Sequence, residues 1–209
     1  MYRYIAIEGA IGVGKTELAR LLANRLQAKL ILEDVVANPF IEKFYKDRRR
    51  YAFSAQIFFL FARYAQQQEL AQQELFQAAI VSDYLFAKDR IFASINLSED
   101  EQRLYDQIYK LLDIRITKPD LVVHLQAKPE ALLERIKKRR REFERPITLD
   151  YLKELNDAYN KFFFLYSESP LLVVNTDEID FVENQSHREQ LIEEILKIHR
   201  GTKHYIPRP

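Results

Sequence analysis

The sequence predicts an α/β fold, a five-stranded parallel sheet flanked by helices on both faces, and three observations predict it. Short, nearly wholly apolar runs alternate with stretches of helical periodicity, the pattern of strands buried on both faces and joined by crossover helices. Polar residues stand at the ends of these runs, namely Glu8, Glu33-Asp34, Ser82-Asp83 and Gln126. In such sheets ligands bind beyond the carboxyl ends of the strands, so these residues define the active edge. Finally, a glycine-rich stretch, Gly9 to Thr16 (GAIGVGKT), follows the first apolar run and opens the first helical pattern.

Each element follows from local pattern. Tyr2 to Glu8 reads as a buried strand, and Lys15 to Gln27 as a helix with Leu18, Leu21, Leu22 and Leu26 on one face. Leu30 to Leu32 is a second short strand. Asn38-Pro39 caps and opens a helix to about Tyr45. A long helix is expected from about Tyr51 to Gln77, carrying Phe53, Ile57, Leu60, Phe61, Tyr64 and Leu70, with a Gln-rich, solvated second half. Ala79 to Val81 is the third strand, followed by a short helical piece from Phe86 to Ile95. Ser98 with Glu101 is a capping box and opens a helix to about Asp113. Leu121 to Leu125 is the fourth strand. Pro129 starts a helix that runs into Lys137-Lys-Arg-Arg-Arg141, and Thr148 or Asp150 starts the next, through Phe164. Leu171 to Val174 is the fifth strand and Gln185 to His199 the last helix. The tail, about residues 200–209, reads as irregular and mobile.

Composition narrows the function. The 209 residues fit one domain, residues 1–209, with a full core. A net charge of +1 gives no bulk reason to expect a nucleic-acid or membrane partner. The absence of cysteine excludes disulfides, thiolate catalysis and Cys-type zinc sites. No run approaches the roughly eighteen apolar residues of a membrane span, and the strand-like N-terminus is not a signal peptide, so a cytoplasmic protein is expected.

The stretch GAIGVGKT fits G-x-x-x-x-G-K-[ST] at every fixed position, and three of the chain's four glycines lie in it. Gly9, Gly12 and Gly14 let the backbone turn successive N–H groups inward, so that Gly9, Ala10, Ile11, Gly12, Val13 and Gly14 form a phosphate cradle on a helix N-terminus. Lys15 reaches the β- and γ-phosphates, and the Thr16 hydroxyl completes the shell of a Mg²⁺ ion, with the Asp83 carboxylate nearby. Two further features bear on the chemistry. Glu33, at the end of the second strand, is a carboxylate where a hydroxyl nucleophile would need a base; its bland alternative is a loop cap. Arg135, Arg139 and Arg141 recur at helical spacing beside Arg140 and Arg145. They suit a lid, about residues 137–147, that neutralises phosphate charge and excludes water, against the alternative of a solvated basic face. No Asn-Lys-x-Asp stretch for guanine exists, which speaks against a GTPase.

With these pieces in place the chain resembles the deoxynucleoside kinases, salvage enzymes of the P-loop kinase fold that phosphorylate the 5′-hydroxyl of deoxynucleosides. The resemblance runs from about Ile5 to Phe164 through the phosphate loop, Glu33, Asn38 to Tyr45, Gln56 with Arg63, Asp83 to Ala93 and the lid. It implies ATP as co-substrate with Mg²⁺, and a homodimer. It makes Glu33 the general base, Gln56 the reader of the base edge, and Asp89 the partner of Arg63. Phe92 is then the ring stacked on the base, Tyr45 and Glu144 hold the sugar 3′-hydroxyl, and Arg139 and Arg141 contact phosphates. The chain departs from the family at Asp83-Tyr84-Leu85, where an arginine that contacts the 5′-oxygen would stand in place of Tyr84; Lys88 or a lid arginine could replace it. The expected reaction is phosphorylation of a deoxynucleoside, deoxyadenosine first, then deoxycytidine or deoxyguanosine. The alternatives are a nucleoside monophosphate kinase of the thymidylate type and a nucleotide-binding regulatory protein without phosphotransfer.

Overall fold

The computed structural model describes residues 2–73 and 79–207, with side chains through residue 69 in the first segment. Six parallel strands form one sheet in the order β2-β3-β1-β4-β5-β6. They are β1 (Tyr4–Gly9), β2 (Lys29–Ile31), β3 (Ile80–Ser82), β4 (Leu121–Gln126), β5 (Leu171–Asn175) and β6 (Thr202–Tyr205). Strand β1 lies between β3 and β4, where the order of connections reverses and a crevice opens at the carboxyl ends. Every residue of β1 and β3 is buried, which explains why their sequences are mostly apolar up to Glu8 and Ser82.

The helices are α1 (Lys15–Leu26), α2 (Ile41–Lys46), α3 (Arg48–Gln73), α4 (Asp89–Asn96), α5 (Glu99–Asp113), α6 (Pro129–Arg139), α7 (Leu149–Phe164) and α8 (Gln185–Leu196). The expected end of α3 at Gln77 and most of its Gln-rich tail lie outside the described residues. The start of α3 falls earlier than expected because the Asp47 carboxylate accepts the backbone N–H of Arg50 and caps it. Asn38 does not cap α2. Its Oδ1 accepts Phe40 N–H at 3.0 Å and its Nδ2 donates to Ala55 O at 3.0 Å, tying the entry of α2 to α3. The capping box at Ser98 forms as expected. Thr148, not Asp150, caps α7, accepting Tyr151 N–H at 3.2 Å. The piece from Phe86 to Ile95 divides into a 3₁₀ turn, Phe86–Lys88, and α4.

The sheet has six strands, not five, and the correction falls on the tail. Thr202–Tyr205 pairs parallel to β5, with Leu171 opposite Thr202 and Val174 opposite Tyr205. Gly201, at φ +67°, turns the chain into β6, and its carbonyl accepts Leu171 N–H at 3.0 Å. The strand escapes a hydrophobicity reading because, at a sheet edge, Thr202, Lys203 and His204 are exposed and only the ladder is satisfied. His124 is a core residue, as expected: its ring stacks on Phe163 with centroids 4.1 Å apart, and burial pushes its pKa down to about 3.

Candidate active site

The phosphate loop closes the crevice end of β1. A Cβ on Gly9 (φ +153°) would sit 2.4 Å from Leu125 O, and one on Gly12 (φ +88°) 2.9 Å from Leu132 O. Both glycines are therefore required by close approach as well as by backbone conformation. Lys15 Nζ donates to Gly9 O at 2.7 Å and Ala10 O at 3.2 Å, curling over the loop. Burial pushes its ammonium down to about 8, with Glu8 opposing the shift and the charge of Lys88 adding to it. The Thr16 hydroxyl donates to Asp83 Oδ2 at 2.6 Å, and Asp83 Oδ1 accepts Glu33 N–H at 2.8 Å. Two hard oxygen donors thus meet beside the loop, a set that fits Mg²⁺.

In front of the loop opens a cavity of 320 Å³. It gathers Ile11, Gly12, Lys15, Thr16, Glu33 and Asp83 together with Gln56, Arg63 and Phe92. Tyr45, Arg139, Arg141 and Glu144 close it from the side of α2 and the segment after α6. Gly9, Ala10, Val13 and Gly14 support the loop without lining this cavity.

Glu33 sits between two cations. Arg63 Nε donates to its Oε1 at 2.6 Å, and Lys88 Nζ to its Oε2 at 2.7 Å. Burial raises the carboxyl pKa, but the charges and hydrogen bonds of Arg63 and Lys88 outweigh burial and hold it at about 2. Arg63 also pairs with Asp89, which is fully buried. The Asp89 carboxylate further accepts Gln56 Nε2 and, at 2.9 Å, the Tyr105 hydroxyl. Gln56 Nε2 also donates to Asp89 O at 2.8 Å. Both bonds of this amide nitrogen thereby go to Asp89, and Gln56 lines the cavity. Asp89 pairs with Arg63 as expected but does not line the cavity, so it can act on a ligand only through Gln56 and Arg63.

The arginines after Pro129 divide. Arg139 grips the buried Glu144, with Nε to Oε2 at 2.7 Å and Nη2 to Oε1 at 2.5 Å, and Arg141 approaches the same carboxylate at 3.8 Å. Arg135 faces elsewhere: it donates to Val13 O at 3.4 Å and to Thr176 O at 3.0 Å. It lines a second cavity of 590 Å³ behind the loop, with Val13, Gly14 and Phe181. Tyr84 is fully buried in the core, outside the main cavity.

Three contributors were not legible as such. Lys88 carries no motif, although it is one of the cations the sequence offers in place of an arginine at Tyr84. Tyr105 reads as one more apolar-face residue of α5. Glu8 is buried and accepts Gly9 N–H at 2.8 Å, Leu85 N–H at 2.8 Å and the Tyr159 hydroxyl at 3.0 Å.

A parallel sheet with a phosphate loop, a hydroxyl–carboxylate pair beside it and a cavity in which a carboxylate sits between two cations defines a nucleotide-dependent phosphotransferase of the P-loop kinase fold. The family model for deoxynucleoside kinases matches residues 5–199. The chain is 34% identical over 200 residues to a deoxyguanosine kinase of Bacillus subtilis, covering 93% of this chain and 97% of that one. It is 31% identical over 209 residues to a deoxyadenosine kinase of Lactobacillus acidophilus, covering 93% and 95%. The solved deoxyadenosine kinase from M. mycoides with bound dCTP superposes with a TM-score of 0.80 at 27% identity, covering 93% of this chain and 100% of that one. The chain belongs to the deoxynucleoside kinase family, and it is an enzyme, a phosphotransferase.

Proposed function

We propose that this chain, as a single kinase domain, moves the γ-phosphoryl group of ATP to the 5′-hydroxyl of a deoxynucleoside, with deoxyadenosine preferred and deoxycytidine or deoxyguanosine behind it. The observation that carries the reading is the meeting of Glu33, Lys15 and the Thr16–Asp83 pair in one cavity with Gln56 and Phe92. A base lies against Phe92, with an exocyclic amino group donating to the Gln56 carbonyl oxygen. The sugar 3′-hydroxyl meets Tyr45 and Glu144, which brings the 5′-hydroxyl to Glu33. Glu33 is ionised at any physiological pH, so it accepts and orients the hydroxyl hydrogen and takes the proton as the new O–P bond forms. Lys15 and the loop N–H groups hold the donor phosphates. Arg139 and Arg141, released from Glu144 as the sugar engages it, move onto the phosphates as a lid over about residues 137–147. Thr16 and Asp83 would hold Mg²⁺, whose charge neutralises the phosphate oxygens when it is bound with ATP. The second cavity, across the loop beside Phe181, is the place for the donor's base.

Phe61, 50% exposed on α3, and Leu111, 72% exposed on α5, support a homodimer through these helices. No described helix is long and apolar enough to cross a membrane. The proposed place of action is the cytoplasm, where ATP is available. The test is kcat/KM for the four natural deoxynucleosides by coupled ADP release, with nucleoside monophosphates alongside. Preference for a monophosphate acceptor would overturn the reading, and absence of turnover with every acceptor would favour a regulatory role.

A further inference from the structure

Lys88 is a buried cation of the cavity whose bonding is incomplete. Lys88 is 3% exposed, and among the described residues its ammonium has a single anionic partner, Glu33 Oε2. An ammonium has three donors, and a buried one left with a single acceptor carries a large desolvation cost unless a ligand completes its shell. Arg63, the other cation on Glu33, differs in kind: its guanidinium is already shared between Glu33 and the buried Asp89. Lys88 instead lines the cavity together with Lys15 and Asp83, its ammonium bonded, among the described residues, only to Glu33. Its charge is felt at Lys15, whose ammonium it helps push down. Two cations on one cavity, Lys88 buried and Lys15 half-buried, mark the place of an anion.

The backbone carrying Lys88 is fixed relative to the phosphate loop. Lys88 N–H donates to Leu85 O at 3.0 Å, closing the 3₁₀ turn. Leu85 N–H donates at 2.8 Å to Glu8 Oε2, and the other oxygen of Glu8 holds Gly9 N–H, the first residue of the loop. A single carboxylate therefore sets the distance between the turn and the phosphate cradle.

We propose that Lys88 is a catalytic cation of the transfer step, donating to the 5′-oxygen and to the γ-phosphoryl oxygens while keeping its contact with Glu33. The assignment rests on the phosphotransfer reading given above. In the step, the 5′-O–H bond breaks and its proton passes to the Glu33 carboxylate. The 5′-oxygen forms a bond to Pγ, and the Pγ–O bond to the β-phosphate breaks with its electron pair leaving on ADP. Lys88 stays protonated throughout and balances the charge that gathers on the oxygens between acceptor and donor. In this chain it supplies from the turn after β3 the positive charge that Tyr84, buried in the core, cannot.

The experiment compares Lys88→Met, Lys88→Arg and Lys88→Ala, the last with and without added ethylammonium, in steady-state kinetics with deoxyadenosine and ATP, with thermal melting as the check on folding. Lys88→Met should lower kcat by about 10²-fold or more while both KM values change by no more than about threefold, because the interaction is made in the transition state. Lys88→Arg should recover most of the loss, and ethylammonium should raise the kcat of Lys88→Ala in a saturable way. A merely structural ion pair predicts loss of melting temperature without amine rescue of turnover, and that result overturns the proposal. So does a folded Lys88→Met variant that keeps its kcat or loses only KM. If the wild-type chain phosphorylates no deoxynucleoside, the parent reading falls and this assignment with it. An active wild type with an indifferent Lys88 removes this assignment alone.

Discussion

Base choice should turn on how firmly the Gln56 amide is held. Its Nε2 donates both to the carboxylate of Asp89 and, at 2.8 Å, to the Asp89 backbone carbonyl, so the oxygen of the amide is the atom offered to the base. Thymine would bring its O4 against that oxygen, opposing two acceptors in a dry pocket at about 1–3 kcal/mol. That corresponds to roughly 5- to 150-fold lower kcat/KM for thymidine than for deoxyadenosine. Turning the amide to greet O4 instead breaks both of its bonds. Asp89→Ala removes the charge-assisted bond, the stronger of the two at about 1.5–3 kcal/mol, and leaves only the one to the backbone. The thymidine-to-deoxyadenosine ratio of kcat/KM should therefore rise by about tenfold or more, and the double change Arg63→Met with Asp89→Ala should admit thymidine as well. Arg63→Met alone should leave the ratio near its wild-type value, because Asp89 still holds the amide. It should also lose about 3–5 kcal/mol of stability, having left a fully buried carboxylate without its cation. The assay is steady-state kinetics with both nucleosides on the four chains, with denaturant unfolding for stability. Thymidine as the best substrate of the wild type, or an Asp89→Ala ratio equal to the wild-type one, would refute the reasoning.

Glu33→Gln keeps the shape of the side chain but cannot accept a proton, so kcat should fall by at least about 10²-fold with a much smaller change in KM; a change confined to KM would make Glu33 a binding residue. Because the carboxyl is held at about 2, the wild-type kcat/KM should show no acid limb from Glu33 between about pH 5 and 8, which a pH–rate profile checks. Deoxynucleosides should outperform ribonucleosides, and 2′,3′-dideoxynucleosides should be poor substrates because Tyr45 and Glu144 lose their partner; equal rates for adenosine and deoxyadenosine would count against this sugar pocket. His124, pushed down to about 3 by burial, is neutral in the fold where the unfolded chain is protonated. Stability should therefore decline as pH falls from about 6.5 toward 3, and a folded His124→Phe variant should decline less over that interval in chemical denaturation.

What could be read from the chain was what depends on local pattern. The phosphate loop needs glycines at fixed spacing, and the four inner strands need apolar residues on both faces, so both are written in consecutive residues. Ser98 and Glu101 likewise announce the start of α5 by themselves. Strand β6 was illegible because an edge strand bonded through its backbone places no demand on Thr202 or Lys203 that hydrophobicity would register. The placement of Asp89 was half legible. Its pairing with Arg63 followed from the resemblance, but Tyr105 and Gln56 consume the rest of its oxygens, and that is decided by how α3, α4 and α5 pack. Arg135 shows the same limit: helical spacing aligned it with Arg139, yet one turn along α6 was enough to aim it at Val13 and Thr176 behind the loop.

Glu8 has a mechanical consequence. By holding Gly9, Leu85 and Tyr159 at once, it rivets the phosphate loop, the turn after β3 and helix α7 into one stiff floor. A floor of this kind cannot fold up around a guest. Whatever shutting of the site occurs must come from the roof, where Arg139 and Arg141 are tethered to Glu144 by bonds that face solvent on one side. In the proposed reaction this floor sets the distances between the reacting atoms, and closure over them falls to Arg139 and Arg141.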